Sequence, residues 1–219
     1  MKRRGATAKQ VLVLATRNQH KVREMAELLP GVDLRPLPPE VVMPPEDGDS
    51  FEANALIKAR AARAATGEVT IADDSGIEAA DLGGAPGIYS ARYAGEGADD
   101  ETNLSKLLRE VDAASGERRA AYVCAIALID EATHEYVFEA RCEGTLLREA
   151  RGSGGFGYDP AFVPDETGHA DQRTMAELSP EEKHAISHRG KAARRSPAAA
   201  STSRSSFARF VSSSAPSPA

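Results

Sequence analysis

Two adjacent acidic residues, Asp73 and Asp74, follow the apolar run VTIA and precede Ser75 and Gly76. Carboxylates that stand side by side repel each other unless a cation lies near them, and Mg²⁺ is the usual oxygen-seeking cation where phosphates are bound. In an open α/β sheet, ligands gather at the carboxyl ends of strands, so acids that end a strand are suitably placed for metal and phosphate chemistry. A polar turn is the alternative interpretation, and the pair alone does not decide between the two.

The segment LATRNQHK, residues 14–21, joins a short apolar run to an amphipathic pattern. It places Thr16, Asn18 and Lys21 in the turn between a predicted strand and a predicted helix. Free backbone N–H groups and the positive end of the helix favour a phosphate there. The alternative is that Asn18 only caps the helix and that Lys21 is solvated. The turn therefore indicates an anion site only in combination with other motifs.

Two loops carry further charges. Glu46 and Asp47 lie in PPEDGDS, a loop bounded by proline and glycine that by itself is typical of a turn. In GGAPGIYSAR the glycines permit close approach of the backbone, and Arg92 is either a cation near a phosphate or a packed surface residue. Neither loop is a site without the other motifs.

The segment GSGGFGYDP, residues 152–160, places Phe156 and Tyr158 on a glycine-rich backbone beside Asp159. An aromatic face on such a backbone, with a carboxylate close by, is suited to stacking on a base. A hydrophobic plug in a turn is the alternative.

A further cluster, in EEKHAISHRGKA, contains Lys183, His188 and Arg189. On an unbroken helix, residues 183 and 188 lie about 140° apart around the axis, so they could not readily serve one ligand. We therefore predict a break at Ser187, which caps a new helix and turns His188 and Arg189 toward the site.

Apolar runs typical of strands alternate with helical patterns, which predicts an α/β fold with a mixed sheet. The predicted strands are residues 11–16, 69–74, 118–130 and 135–147, the last two joined by a turn at 130–134. The predicted helical faces are Val22, Met25, Ala26 and Leu29, and then Leu104, Leu107, Leu108 and Val111. Ser50 is a candidate N-cap, and Ser179, Pro180 and Glu182 form a candidate capping box.

Composition narrows the class of protein. The 219 residues are 41% hydrophobic, which is enough for a core, and the net charge is −6. All five charged residues after residue 190 are basic, so the negative charge lies in residues 1–190. An acidic body of this kind argues against a surface that binds duplex nucleic acid. The acidic charge is still compatible with a small anionic ligand that is held by a few local cations and a metal. Cys124 and Cys142 lie in strand-like runs and are predicted to be reduced core residues.

No apolar run approaches the roughly 18 residues of a membrane helix, and no signal peptide is evident, so we expect a cytoplasmic protein without a membrane or stable nucleic-acid partner. We expect residues 1–10 to be a flexible N-terminus and residues 11–195 to form a single domain. Residues 196–219 contain nine serines and three prolines and are expected to be disordered.

Six motifs, in this order and spacing, resemble the inosine/xanthosine triphosphate pyrophosphatase family of nucleotide hydrolases. They are TRNQHK, PEDGDSFEANALIKA, ADDSG, LGGAPGIYSARY, GGFGYDP and ELSPEEKHAISHRGKA. The resemblance runs from about Val11 to Ala193 and implies an elongated, two-lobed α/β fold with a mixed sheet and a central nucleotide-binding cleft, usually in a homodimer. It also implies Mg²⁺-dependent hydrolysis of ITP, dITP and XTP to the monophosphate and pyrophosphate. After SHRGKA the chain departs from the family, whose closing helix is missing or replaced.

The resemblance also implies roles for individual residues. Asp74 and Glu46 would be the metal ligands, Asp74 would accept the proton of the attacking water, and Lys21 would act on the triphosphate. Asp73 is not assigned by the resemblance, and we expect it to orient or support the metal shell. The substrate-binding residues would be Thr16, Arg17, Asn18, Gln19, His20, Lys21, Ser75, Phe156, Gly157, Tyr158, Asp159, Lys183, His188 and Arg189, with Phe156 stacking on the purine.

Two other functions stay open from the sequence. One is a pyrophosphatase of pyrimidine or modified nucleoside triphosphates. The other is a non-catalytic nucleotide sensor, against which the full set of acids and Lys21 argues.

Overall fold

The computed structural model describes residues 9–114, 116–168 and 170–200. The strands are β1 (Val11–Leu14), β2 (Asp33–Pro36), β3 (Thr70–Ala79), β4 (Arg119–Ile129), β5 (Glu135–Leu146) and β6 (Phe162–Pro164). The helices are α1 (Gln19–Leu28), α2 (Phe51–Thr66), α3 (Asp100–Ala114), α4 (Pro180–Ile186), α5 (His188–Arg195) and α6 (Pro197–Ala200). Within these ranges, every helix is too short or too polar to span a bilayer.

The six strands form one sheet in the order β2-β1-β3-β4-β5-β6. β1 pairs in parallel with β2 and β3, whereas β3, β4, β5 and β6 pair antiparallel. The parallel pairs need crossover connections, which contain α1 and α2, and β4 and β5 need only the turn at residues 130–134. The predicted α/β fold with a mixed sheet is confirmed, as is the predicted pair of long strands.

The two faces of the sheet bury different side chains, because successive residues of a strand point to opposite faces. One face packs on α1 and α5 through a cluster that includes Leu12, Leu14, Met25, Leu29, Ile71, Ile126, Leu128, Ala192 and Ala193. The other packs on α2 through Val13, Phe51, Ala55, Ala59, Ala62, Ala72, Val123, Ala125 and Ala127. A third cluster joins α3 to the distal part of β3, β4 and β5. Cys124 and Cys142 are buried free thiols, as predicted.

Strand β3 does not end at the acidic pair. The sequence predicted that Asp73 and Asp74 end a strand, but β3 continues to Ala79 and pairs with β4 along its whole length. The strand that ends here is the parallel neighbour, because β1 pairs only with Thr70 and Ile71 of β3 before the chain turns toward α1. The acids therefore lie in the interior of a strand, beside the end of β1, on opposite faces of the sheet.

The predicted helical faces are mostly buried. In α1, Met25 is in the core and Val22 is half-buried, and Leu29, which ends the helix, is buried. Ala26, predicted on the same face, is exposed. All four predicted positions of α3 are buried or half-buried.

The predicted break at Ser187 is confirmed. α4 ends at Ile186, Ser187 has extended backbone angles (φ −63°, ψ 153°), and its Oγ accepts the N–H of Gly190 as the N-cap of α5. A Cβ at Gly190 would lie 2.0 Å from the carbonyl oxygen of His184, so glycine is required for this close approach of α5 to α4. The capping box at Ser179 is also present.

The folded part of the chain extends beyond both predicted boundaries. Gln10 is buried, and its carbonyl accepts the N–H of Asp33 at 2.8 Å. At the other end α6 continues to Ala200, with Ala198 fully buried in the α1 and α5 cluster. The rest of the two segments predicted to be flexible, residues 1–8 and 201–219, lies outside the described residues.

A chain that ends after Arg195 should be less stable than one that ends after Ala200. The shorter chain loses the buried methyl group of Ala198 and the hydrogen bond from Ser196 Oγ to the Ala193 carbonyl. We expect the free energy of unfolding to fall by about 1–2 kcal/mol. Urea unfolding followed by circular dichroism measures this difference, and identical midpoints would show that α6 adds nothing to the fold.

Candidate functional site

A cleft with a volume of about 320 Å³ opens beside β3, where β1 ends. Some of its lining residues come from the turn after β1, the loop that carries Glu46, α2 and β3. Others come from the segment after β3, the start of α3 and residues 156–159. Tyr122 of β4, Lys183, His188 and Arg189 complete the lining. The fold therefore brings together residues from all six motifs identified in the sequence.

Side-chain oxygens organise the turn between β1 and α1. Asn18 Oδ1 accepts the N–H groups of His20 at 2.9 Å and Lys21 at 3.2 Å, and Thr16 Oγ1 accepts the N–H of Asn18 at 3.2 Å. Asn18 is thus the N-cap. The sequence predicted free backbone N–H groups in this turn, but those of His20 and Lys21 are paired with Asn18. The side chains of Thr16, Asn18 and Lys21 line the cleft at the positive end of α1.

The other side chains of this turn differ in their placement. The Arg17 guanidinium borders the cleft and donates to the carbonyls of residues 38, 39 and 41, which ties the turn to the loop after β2. Gln19 is exposed and is not part of the cleft lining. His20 is also exposed, and its ring stacks on Phe156 with the ring centroids 5.0 Å apart.

Asp73 is fully buried and binds two cations of the site. Its Oδ2 lies 3.1 Å from Lys21 Nζ and 3.1 Å from Arg189 Nη2, which also donates to Ser75 Oγ at 2.8 Å. Burial raises the pKa of Asp73, but Lys21, Arg189 and Lys58 together lower that pKa by more, so it lies well below its ordinary value. Asp73 is therefore an ionised, internal counter-ion that fixes the positions of Lys21 and Arg189.

Glu24 on α1 extends this network. Its carboxylate accepts a hydrogen bond from Lys183 Nζ at 2.6 Å and another from Arg189 Nη1. Lys183 Nζ also donates to Asp159 Oδ2 at 2.8 Å. Burial raises the pKa of Glu24, and Arg189 and Lys183 bring it below its ordinary value. A continuous chain of opposite charges thus connects α1, α4, α5, β3 and the glycine-rich segment.

On the other face of β3, Asp74 is paired with Lys58 of α2. Lys58 Nζ lies 2.7 Å from Asp74 Oδ1 and 3.1 Å from Glu46 Oε1. Burial lowers the pKa of Lys58, but Asp74, Asp73 and Glu46 raise it above its ordinary value. Burial raises the pKa of Asp74, and Lys58 and Lys21 oppose this only in part. One ammonium group therefore joins the two carboxylates that were predicted to bind metal.

The loop that carries Glu46 is attached to α2 and to the segment after β3. Asn54 Oδ1, on α2, accepts the N–H of Gly48 at 2.9 Å. Arg92 Nη2 lies 3.5 Å from the carbonyl oxygen of Glu46, and the Arg92 guanidinium lies over the ring of Tyr89. Arg92 thus contacts the backbone of the Glu46 loop and does not belong to the lining of the cleft.

The carboxylate oxygens of Glu46 and Asp74 are suitable ligands for Mg²⁺ when a phosphate supplies the remaining ligands. In sites that handle phosphates, Mg²⁺ is bound by one or two carboxylates, and phosphate oxygens and water complete its shell. Across the part of the chain that the structure describes, no group of three or more His, Cys, Asp or Glu side chains forms a self-sufficient metal site. The two carboxylates of Glu46 and Asp74, on an open cleft, match the pattern in which phosphate oxygens and water complete the Mg²⁺ shell.

The glycine-rich segment forms an aromatic platform that borders the cleft. Asp159 Oδ2 accepts the N–H of Phe156 at 2.9 Å, and a Cβ on Gly155 would lie 2.1 Å from the same oxygen. Asp100, at the start of α3, accepts the N–H of Gly157 at 2.7 Å. Two carboxylates therefore fix the backbone on both sides of Phe156.

Tyr158 and His188 belong to the walls of the cleft. The Tyr158 hydroxyl donates to the carbonyl of Ser90 at 2.7 Å, which joins the platform to the segment after β3. The His188 ring stacks on Tyr122, with centroids 4.6 Å apart and an angle of 4° between the planes. Burial, Arg189 and Lys183 lower the pKa of His188 well below its ordinary value, so the ring is neutral at pH 7. Its buried Nδ1 has no hydrogen-bond partner among the described residues.

Sequence reasoning missed several residues of this site, among them Glu24, Lys58, Asp100 and Tyr122. A signal for Lys58 was present, because the apolar stripe that α2 turns toward the sheet is interrupted at Lys58. Glu24 lacked a local signal, since its partners Lys183 and Arg189 are far away in sequence.

Comparison with known proteins gives concordant matches. The sequence model of the Ham1 family matches residues 12–197. The dITP/XTP pyrophosphatase of Mycobacterium tuberculosis is 47% identical over 193 residues, covering 83% of this chain and 90% of that protein. The dITP/XTP pyrophosphatase of Geobacter sulfurreducens is 47% identical over 186 residues, covering 83% and 92%.

Solved structures agree with the sequence matches. A HAM1 protein from Coxiella burnetii superposes with a TM-score of 0.76 at 42% identity, covering 85% of this chain and 95% of that chain. A nucleoside-triphosphatase / dITP/XTP pyrophosphatase from Mycobacterium abscessus gives a TM-score of 0.68 at 43% identity, covering 85% and 98%. The matched segment contains every motif of the cleft, so the resemblance seen in the six motifs is confirmed. The chain belongs to the Ham1 family.

Proposed function

We propose that this protein is a Mg²⁺-dependent pyrophosphatase that converts ITP, dITP and XTP to the monophosphate and pyrophosphate. The observation that carries the proposal is the cleft itself, in which the Asp74, Glu46 and Lys58 cluster and the Phe156 platform border the same space. The charged cluster is suited to binding a triphosphate together with a metal ion, and the Phe156 platform is suited to stacking on a planar base. The identity of 47% to two dITP/XTP pyrophosphatases supports this reading.

The phosphates are proposed to lie against Thr16, Asn18 and Lys21. Lys21 Nζ borders the cleft and is oriented by Asp73. Attack at the α-phosphorus develops charge on the phosphate oxygens, and a fixed ammonium at the end of α1 stabilises that charge without reorganising.

Glu46 and Asp74 are the residues that would hold Mg²⁺, which when bound supplies further neutralisation of phosphate charge. Asp74 is also proposed to take the proton from the attacking water. Its carboxylate borders the cleft beside the proposed phosphate site, which is the position that a base for this water requires.

The base is proposed to stack on Phe156 and to be read by donors of Lys183 and Arg189. Within the described residues, Arg189 makes four hydrogen bonds, to Asp73 twice and to Ser75 and Glu24, which leaves one of its five N–H groups for a ligand. Hypoxanthine and xanthine present an acceptor at O6, whereas adenine presents a donor there. A donor facing adenine would stay unpaired, which disfavours ATP.

A homodimer and a cytoplasmic location complete the proposal. The homodimer is what the family resemblance implies, and the cytoplasmic location is the expectation drawn from the sequence. Sedimentation equilibrium of the purified chain would measure the mass of the assembly directly.

A substrate panel tests the proposed selectivity. We expect kcat/KM for ITP, dITP and XTP to exceed that for ATP by at least about 100-fold, because a polar mismatch at one base edge supplies a ratio of that order. Separate assays for pyrophosphate and orthophosphate, with Mg²⁺ present, measure both rate and bond cleaved.

The same panel separates the alternatives. Equal rates on ATP would contradict the purine selectivity, and turnover confined to pyrimidine or modified nucleotides would favour the related pyrophosphatase. Release of orthophosphate would place the attack at the γ-phosphorus. Binding of ITP without any product would favour a nucleotide sensor.

Asp74→Asn should abolish most turnover while the protein still folds. The change removes the proposed base and one metal ligand, and loss of a general base alone typically costs about 10²- to 10⁴-fold in kcat. Lys58 keeps Glu46 as a partner, so unfolding should stay cooperative. Kinetics on ITP over a Mg²⁺ titration, with a thermal melt of the same sample, measure both effects.

The matched control is Asp47→Asn, which removes an exposed acid next to Glu46. It should leave kcat within about twofold of the parent, as substitutions of exposed side chains generally do. An Asp74→Asn protein with unchanged kcat would refute the role of Asp74.

A further inference from the structure

The position of Lys58 is unusual for a substrate-binding cation. Its Nζ lies between Asp74 Oδ1, at 2.7 Å, and Glu46 Oε1, at 3.1 Å, which are oxygens of the two proposed metal ligands. The Lys58 side chain is 8% exposed, so solvent screens these contacts little. The ammonium therefore already offsets part of the charge of the two carboxylates to which Mg²⁺ is proposed to bind.

An ammonium and a divalent cation cannot both occupy the space between these oxygens. A divalent ion bound there would lie within a few Å of a positive charge in a poorly screened environment, and their repulsion opposes binding. Displacing Lys58 alone would leave a buried ammonium without a partner, which is also unfavourable. A triphosphate in the cleft changes the balance, because its oxygens offer the ammonium a new partner and complete the shell of the metal.

We propose that Lys58 occupies the position of the metal in the nucleotide-free protein and excludes free Mg²⁺, so that metal binds together with the triphosphate. This inference rests on the proposed function. It assigns to Lys58 a control over the order of binding, in addition to any contact with phosphate. In this view Glu46 and Asp74 have low affinity for a metal ion alone.

The alternative is that Lys58 forms only a structural ion pair beneath the sheet. The placement argues against it, because Lys58, Asp74 and Glu46 all border the cleft. The Glu46 side chain is 36% exposed and belongs to a loop outside the helices and strands, so it is accessible to a ligand that arrives from solvent. A purely structural pair has no need of an exposed loop carboxylate.

Binding of Mn²⁺ to the full chain without nucleotide, followed by electron paramagnetic resonance, tests the proposal. We expect Lys58→Met to bind Mn²⁺ at least about tenfold more tightly than the parent, because the competing charge is gone. Lys58→Arg keeps the charge and should bind as weakly as the parent. Adding Glu46→Gln to Lys58→Met should remove the gain, whereas adding Asp47→Asn should not.

A second measurement uses the parent protein alone, so it stands even where Lys58→Met fails to fold. The α,β-imido analogue of ITP, in which the bond to be cleaved is blocked, should raise the affinity for Mn²⁺ by at least about tenfold. Equal Mn²⁺ affinity with and without the analogue would overturn the proposal, as would a folded Lys58→Met protein that gains no affinity.

Neither measurement depends on turnover. A protein that cleaves ITP but shows no effect of Lys58 on free metal would refute this inference and leave the proposed function intact. A protein that shows the metal effect without cleaving ITP would refute the proposed function alone.

Discussion

Two adjacent carboxylates, Asp73 and Asp74, are both buried in the interior of β3, and the architecture of the site depends on neutralising them. Because neighbouring strand residues point to opposite faces, no single cation can serve both equally. Lys21 and Arg189 approach Asp73 from α1 and α5, and Lys58 approaches Asp74 from α2. An uncompensated buried carboxylate costs several kcal/mol, so removing one of these cations while its carboxylate stays ionised destabilises the fold.

These ion pairs fix the positions of the paired side chains more than they increase the stability of the fold. A buried pair often contributes no more than a well-packed apolar pair of the same volume, but it restricts its members to few geometries. Lys183 illustrates this, because its ammonium is held by Glu24 on one side and Asp159 on the other. The same Asp159 fixes the backbone of Phe156. A change in the charge network would therefore move the aromatic platform as well.

The sequence allowed prediction of features that depend on local patterns. The alternation of strands and helices, the two long antiparallel strands and the Ser179 capping box all follow from periodicity and capping within a few residues. The break at Ser187 followed from angular geometry, since Lys183 and His188 could reach one ligand only on separate helices. Recognition of the site came from the order of six motifs, none of which was specific alone.

Features that depend on distant partners were beyond local reasoning. The acids were placed at the end of β3 because an apolar run stops there, but pairing with β4 carries the strand on to Ala79. Ala198 was assigned to a disordered tail because residues 196–219 are rich in serine and proline, yet it packs on α5. Glu24 carried no local signal, because its partners Lys183 and Arg189 are brought beside it only by the fold.

Arg189 shows why base recognition and phosphate chemistry are coupled in this arrangement. Its guanidinium binds Asp73 and Ser75 of β3, and its Cζ lies 5.8 Å from the centroid of the Phe156 ring. Asp73 in turn holds Lys21 at the proposed phosphate site. A base that shifts Arg189 would therefore also disturb the counter-ion of Lys21, so a poorly matched base can lower the rate of the chemical step as well as the affinity. Selectivity expressed in kcat, and not only in KM, is the behaviour that such a shared counter-ion favours.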